Sequence, residues 1–183
     1  MHIESNERFL LLKLMNGLYG ISFAENAVNT QKHLSKIIQF LKYYSLEESK
    51  LVRLKEEYDI IVLFVELMTA TSGNKCSISL EINNSEMLNI YIPSNSLLVL
   101  IQEVLINAKD SAAEAISVLI NVHQKEDVII ISIENLSLSD PYKMRKMVDG
   151  LKRSFEILPN SSANLVSGCN GADSAKIIIS VPM

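Results

Sequence analysis

Residues 95–134 combine one amphipathic helix with two strand-like segments, and this combination limits the folds that are open to the chain. Apolar side chains recur at helical spacing at Leu97, Ile101, Val104, Leu105 and Ala108. The segments 115–122 and 127–134 are rich in β-branched residues and flank a turn at 123–126, so they are predicted to be strands. Because a helix with one apolar stripe must bury that stripe against another layer, these residues predict a helix packed on a sheet.

Two further helices are predicted before residue 47, again from apolar residues at helical spacing. The link between them is short, so they form an antiparallel hairpin. Gly17 and Gly20 favour a kink or a break in the first helix, and Asn29 or Thr30 is the expected cap of the second. A lone hairpin leaves one apolar face uncovered. Pairing two hairpins into a four-helix bundle buries that face, so a homodimer is predicted.

The remaining patterns complete a mixed α and β order. They predict a helix from Tyr58, strands at 77–82 and 90–92, a helix over 141–156, and strands at 164–167 and 176–181. The predicted fold class is therefore α+β: an N-terminal antiparallel helical hairpin followed by an α/β sandwich, a mixed sheet with helices on one face. We expect a hairpin dimerisation domain over 1–47 and the sandwich domain over 55–183.

Composition excludes several classes of function. The net charge is −4 and the pI is about 5.4, so the chain has no overall positive potential that would attract nucleic acid. The longest apolar run is interrupted by Glu66 and is too short to span a membrane. Cys76 and Cys169 are far apart without a CxxC spacing, which favours unpaired thiols and a cytoplasmic location. The three histidines are scattered, so spacing predicts no metal site.

Three phrases resemble the catalytic core of bacterial sensor histidine kinases, in which a dimerising hairpin precedes an ATPase domain of the kinase/gyrase/heat-shock class. These phrases are LSKIIQFLKYYSLEESKLVRLKEEYDIIVLFVELM, LLVLIQEVLINAKDSA and SGCNGADSAKIIISVP. In the second phrase Glu103 and Asn107, one helical turn apart, stand at the family's acid and metal-ligand positions. The resemblance covers nearly the whole chain. Such a pair is more often a capped or solvated border of an amphipathic helix.

The sequence departs from the family where a kinase carries its phosphoaccepting histidine. The comparable place in LMNGLYG is Asn16, followed by Gly17, and an amide nitrogen is not the nucleophile that an imidazole provides. A second alignment, on kinases with a Pro-His-Phe motif, puts Ser22 there instead. Neither alignment supplies a histidine.

The nucleotide-binding boxes also depart from the family pattern. Asn135 replaces the aspartate that bonds the adenine amino group, and Ser137 and Ser139 replace the two glycines. In the region of the glycine-rich lid only Gly150 remains, within a segment that is predicted to be one continuous helix. The resemblance therefore implies a core that has lost ATP binding, and no cofactor is expected.

Among relatives, this pattern is similar to ATP-less histidine phosphotransferases of the ChpT kind, which dock response-regulator receiver domains on the hairpin. The resemblance then implies a phosphorelay phosphotransferase or pseudokinase adaptor, with a docking surface around Asn16, Leu18 and Tyr19. If phosphotransfer persists, His33 is the only candidate phosphoacceptor in the hairpin itself. An ordinary surface histidine is the commoner interpretation of such a residue.

Two alternatives stay open. In the first, the chain is a divergent but active histidine kinase or ATPase that binds ATP and Mg²⁺ through Glu103 and Asn107. In the second, it is a purely structural dimer that sequesters a regulator. Measurable affinity for a nucleotide would support the first alternative. Partner binding without any phosphoryl transfer would support the second.

Overall fold

The computed structural model describes residues 5–46, 50–72, 76–108, 116–137, 141–167 and 174–182. The helices are α1 (Ser5–Ala24), α2 (Val28–Tyr44), α3 (Leu54–Ser72), α4 (Ser96–Ala108) and α5 (Pro141–Phe155), with a 3-10 helix at Ser85–Asn89. The strands are β1 (Leu51–Arg53), β2 (Cys76–Ile82), β3 (Tyr91–Pro93), β4 (Ile116–Lys125), β5 (Val128–Ser137), β6 (Ser162–Ser167) and β7 (Ser174–Pro182).

The N-terminal hairpin consists of α1 and α2. Helix α1 continues through Gly17 and Gly20 without a break. A glycine still makes the backbone hydrogen bonds of a helix, and the turns on either side of it hold the helix together. Helix α2 begins at Val28, after Ala27, so the cap expected at Asn29 or Thr30 is not the one used. The side chain of Gln31 closes the turn instead, donating from Nε2 to the carbonyl oxygen of Ser22 at 3.0 Å.

Five of the described strands form one mixed sheet in the order β2-β4-β5-β7-β6. The β2–β4 pair is parallel and the other pairs are antiparallel. A parallel pair requires a long crossover, and the segment from the 3-10 helix through β3 and α4 supplies it. Strands β1 and β3 form a separate two-stranded ladder beside the sheet.

The core lies between this sheet and helices α3, α4 and α5. Alternate residues of β4, β5 and β7 are buried: Val118, Ile120, Val122, Ile129, Ile131, Ile133, Ile177, Ile179 and Val181. They meet the apolar stripe of α4, in which Leu97, Ile101, Val104 and Leu105 are buried as the periodicity predicts. The predicted α+β fold class is thereby confirmed: a helical hairpin, then a mixed sheet with helices on one face.

Several boundaries differ from the sequence-based expectation. Helix α3 begins at Leu54, one turn before Tyr58, and residues 51–53 form a strand that the sequence patterns do not predict. The turn between β4 and β5 shrinks to residues 126–127, with Glu126 in the left-handed region at φ 55°. The pairing of β4 with β5 extends the strands because each added residue gains ladder hydrogen bonds. The proposed domain limits, 1–47 and 55–183, stay a prediction.

Candidate functional site

Helix α1 carries exposed apolar side chains on two sides of its contact with α2. Leu14, Leu18 and Ile21 are 56%, 47% and 57% exposed and follow one another at intervals of four and three residues. They therefore form one stripe along the helix, which we call the leucine stripe. Tyr19 and Phe23, 37% and 66% exposed, lie on the other side and are called the aromatic flank. Monomeric proteins rarely leave so many large apolar groups on one helix in water.

Asn16, at the place of the absent phosphoaccepting histidine, is an exposed residue of α1. Its Nδ2 donates to the carbonyl oxygen of Leu12 at 2.9 Å, so the amide is folded back onto its own helix. Asn16 and Tyr19 are three residues apart and are neighbours on the helix surface. Leu18 is two residues from Asn16 and lies on the opposite side, in the leucine stripe, so these three residues do not form one patch.

The alternative position, Ser22, is turned inward. It is buried, and its Oγ donates to the carbonyl oxygen of Tyr19 at 2.8 Å. A hydroxyl bonded to its own helix beneath the hairpin surface has no access to a phosphoryl group on another protein. His33, by contrast, is exposed in the second turn of α2 and is sterically open to a partner.

On α4 the structure places Glu103 at the solvent-exposed side and Asn107 one turn later, near the helix end. The side chains of residues 106–116 lie outside what the structure describes, so the Glu103–Asn107 pair is defined by its backbone positions. Asn135 and Ser137 likewise lie at the end of β5, while Ser139 lies outside the described residues. A register shift between Ile133 and Leu136 interrupts the regular β5–β7 pairing just before this point.

In the family that the sequence resembles, the region of α5 carries a lid over the phosphates, whereas here it is a helix. Helix α5 runs without a break from Pro141 to Phe155 and contains Gly150, and its buried residues Val148, Leu151 and Phe155 fix it to the core. A helix held in this way has no freedom to fold over a bound phosphate. Across the described ranges, no three His, Cys, Asp or Glu side chains are grouped to hold a metal ion.

Sequence reasoning missed one polar cluster, which lies where the hairpin meets the sandwich. Glu57 of α3 is 0% exposed and accepts hydrogen bonds from the hydroxyl of Tyr43 and from the backbone N–H groups of Asn95, Leu97 and Leu98. We call these five residues the junction cluster. The local features that could have indicated the cluster are an acid in the first turn of a helix, Glu57, and an asparagine just before another helix, Asn95.

Electrostatics in the junction cluster follow from burial. Burial raises the pKa of Glu57, and the hydrogen bonds donated by Tyr43 and by three backbone N–H groups oppose that shift. Burial and the adjacent Glu57 charge both raise the pKa of Tyr43 well above its ordinary value, so its hydroxyl remains a donor.

None of the helices in the described ranges combines the length and the hydrophobicity that crossing a membrane requires. No family model matches the chain, and no curated protein matches it in sequence.

Solved structures of three proteins are similar to this one. Histidine kinase AdeS of Acinetobacter baumannii has 14% identity over 97% of this chain and 96% of its own, with a TM-score of 0.48. A bacterial phosphotransferase has 9% identity over 98% of each chain and a TM-score of 0.49. The catalytic domain of histidine kinase ThkA has 13% identity over 73% of this chain and 96% of its own, with a TM-score of 0.49. At TM-scores below 0.5, these likenesses decide nothing about what this chain binds or transfers.

Proposed function

We propose that the chain is a phosphorelay signalling protein, a histidine phosphotransferase-like or pseudokinase adaptor that docks a response-regulator receiver domain without binding ATP. The observation that carries this proposal is the surface of α1, which exposes apolar side chains on both sides of its contact with α2. One side suits a second copy of the chain, and the other suits a different partner.

The leucine stripe is assigned to the homodimer. A two-helix hairpin has only one partner helix for each apolar stripe, and Leu14, Leu18 and Ile21 lie beside the α1–α2 contact instead of within it. A second hairpin related by two-fold symmetry would cover the stripe with its own copy and complete a four-helix bundle.

The aromatic flank, with Asn16 beside it, is assigned to the receiver domain. Tyr19 and Phe23 offer large, rigid apolar area at low cost in side-chain entropy, which is typical of residues that dominate protein interfaces. In the phosphotransferases that the sequence resembles, a receiver domain docks on the hairpin and buries one of its own helices against it. Leu18, which the sequence grouped with Asn16 and Tyr19, belongs to the leucine stripe on the other side.

The absence of ATP binding is inferred from the replaced adenine box and from α5. Asn135 and Ser137 stand where the family has an aspartate and a glycine, and an unbroken helix follows over Pro141–Phe155. Of the three nucleotide-binding boxes, only the one with the Glu103–Asn107 pair of α4 keeps the family pattern, and a single box is insufficient for a nucleotide site.

The dimer is tested by the molar mass in solution. Size-exclusion chromatography with light scattering should give about twice the 20.5 kDa chain mass for the wild type. Leu14→Glu should shift it to one chain mass, because a charge would be buried at the interface. Lys13→Glu, a charge change on the exposed outer side of α1, is the matched control and should stay dimeric. A monomeric wild type would contradict this part of the proposal.

Docking is tested with purified receiver domains from the same organism. Tyr19→Ala and Phe23→Ala should each weaken binding at least tenfold, as expected for an interface anchor. Tyr91→Ala, which removes a tyrosine of β3 that is more exposed than Tyr19, should leave affinity unchanged. Equal affinity for all three variants would contradict docking on the aromatic flank.

Phosphoryl transfer is tested by mixing the chain with a phosphorylated receiver and following the label. Label on the wild type that disappears in His33→Ala would assign the transfer to His33. Label that persists in His33→Ala would remove this residue from the proposal. Receiver binding without any label would favour the structural dimer that sequesters a regulator.

Titration calorimetry with ATP and Mg²⁺ tests the remaining alternative. We expect no heat of binding at millimolar ATP for the wild type or for Asn107→Ala. Micromolar binding that Asn107→Ala abolishes would instead support a divergent, active kinase or ATPase.

A further inference from the structure

The junction cluster joins three elements through one buried carboxylate. Glu57 projects from the first turn of α3 and accepts four hydrogen bonds at zero exposure. A buried carboxylate is tolerated only when donors surround it, because its charge has lost the solvation of water. Each donor therefore matters more here than it would at the surface, and the donors come from different parts of the fold.

On the side of α4, Glu57 caps the helix from a distant part of the sequence. Oε1 accepts from the N–H groups of Leu97 and Leu98 at 3.0 and 2.9 Å, and Oε2 accepts from the N–H of Asn95 at 3.0 Å. The first N–H groups of a helix have no intrahelical partner, and a negative charge is most favourable at that end. The start of α4 thus depends on a side chain 38 to 41 residues earlier.

On the side of the hairpin, two contacts reach the same cluster from the end of α2. The hydroxyl of Tyr43 donates to Oε2 of Glu57, the same oxygen that accepts from Asn95. The Nδ2 of Asn95 donates to the carbonyl oxygen of Leu46 at 3.4 Å. Asn95 is held in the left-handed region at φ 62°, a conformation that asparagine adopts more readily than most residues.

We propose that the junction cluster is a conformational link, through which displacement of the base of the hairpin loosens the first turn of α4. If α2 moves away from α3, Oε2 loses the Tyr43 donor and the Asn95–Leu46 contact opens at the same time. The carboxylate then gains by turning toward water, which leaves the N–H groups of Leu97 and Leu98 without their acceptor.

The link would reach α4, a helix of the sandwich that begins at Ser96. A protein bound to the hairpin would in this way alter a helix of the sandwich that it does not touch. This inference does not depend on what the hairpin binds or on whether a nucleotide is bound, so it can hold if the proposed function fails.

Amide hydrogen exchange followed by mass spectrometry tests the link on the whole chain. Tyr43→Phe removes one hydroxyl from the hairpin and keeps the ring. We expect the exchange of residues 95–98 to become about tenfold faster, the change that corresponds to about 1.4 kcal/mol. Tyr58→Phe is the matched control, because it removes a hydroxyl from the residue after Glu57 in the sequence, and that hydroxyl is not among the partners of the carboxylate. It should leave residues 95–98 unchanged.

A change confined to the last turn of α2 in Tyr43→Phe would overturn the proposal, since the cluster would then be a local contact only. Asn95→Gly provides an independent test from the other side, because glycine keeps the left-handed backbone and loses the contact with Leu46. Coupling between two sites is reciprocal, so the exchange of residues 43–46 should rise in this variant. Unchanged exchange there would also overturn the link.

Discussion

Glu56 and Glu57 are adjacent in the sequence and have opposite surroundings. Glu56 is exposed at the first turn of α3, whereas Glu57 is fully buried and accepts four hydrogen bonds. Their chemistry is the same, so only the position on the helix separates them. One residue along a helix is a rotation of about 100°, which is enough to turn a side chain from solvent to the core.

This difference predicts unequal effects of the same substitution. Glu57→Gln should lower the free energy of unfolding by about 2–4 kcal/mol, because the new amide group presents a donor to backbone donors and removes the charge. Glu56→Gln should change it by less than about 0.5 kcal/mol. Urea unfolding with an unchanged slope would measure both. Equal midpoints for the two variants would contradict the burial of Glu57.

Tyr43 predicts a pH effect with a defined sign. Its pKa in the folded chain lies well above its ordinary value, because burial and the Glu57 charge disfavour the phenolate. The folded state therefore binds this proton more tightly than the unfolded state does. Its contribution to stability is fully present below the ordinary tyrosine pKa and is lost as pH rises above it.

Between about pH 9 and about pH 11, the free energy of unfolding should fall more steeply for the wild type than for Tyr43→Phe. Denaturant unfolding at several alkaline pH values would measure this difference. Tyr91→Phe, at an exposed tyrosine of β3, is the control and should follow the wild type. Parallel pH profiles for wild type and Tyr43→Phe would argue against a buried Tyr43.

At the scale of elements, α2 is attached to α3 by an aromatic stack and by an ion pair. The rings of Phe40 and Phe64 are stacked with centroids 5.5 Å apart, and Phe40 also stacks on Tyr44 at 5.7 Å. Nζ of Lys36 lies 2.6 Å from Oε2 of Glu66, with side chains 29% and 52% exposed. The stack removes apolar area from water, whereas the ion pair remains partly solvated and is screened by salt.

The stack should therefore hold the hairpin against the sandwich more firmly than the ion pair does. Phe40→Ala is expected to lower the free energy of unfolding by roughly 2–3 kcal/mol, from lost burial and two lost ring contacts. Lys36→Ala should lower it by less than about 1 kcal/mol, and less still at high salt. Chemical unfolding of the two variants tests this order, and a larger effect of Lys36→Ala would reverse it.

The elements differ in how far the sequence predicts them. Helix α4 and strands β2, β4 and β5 follow from apolar periodicity, because each buries a regular face. Strand β1 was missed: three residues carry too little pattern, and Leu51, Val52 and Arg53 become a strand only by pairing with β3. The early start of α3 was missed for a related reason, since Leu54 is buried by the fold around it in a segment that looks polar.

At the scale of the whole molecule, the proposed dimer links stability to concentration. Unfolding of a dimer releases two chains, so mass action favours the folded state as concentration rises. A hundredfold increase in protein concentration should therefore raise Tm by roughly several degrees. Differential scanning calorimetry would measure the shift.

Leu14→Glu should abolish this concentration dependence, and Lys13→Glu should retain it. A wild-type Tm that is independent of concentration would contradict a dimer that is coupled to folding. In that case the exposed leucine stripe would have to contact a partner other than a second copy of the chain.

The sequence by itself determined the hairpin, the order of helices and strands and the stripe of α4. These features depend on local periodicity, which is written residue by residue. It also located Asn16, His33, Glu103 and Asn107 on their elements, and it predicted an unbroken helix in place of a lid.

Only the tertiary structure decided that Ser22 is buried and that Glu57 caps α4 while bonding Tyr43. The reason is physical: burial and hydrogen bonding between distant segments depend on how elements pack. The donors that surround Glu57 lie 14 and 38 to 41 residues away, beyond the reach of any local pattern.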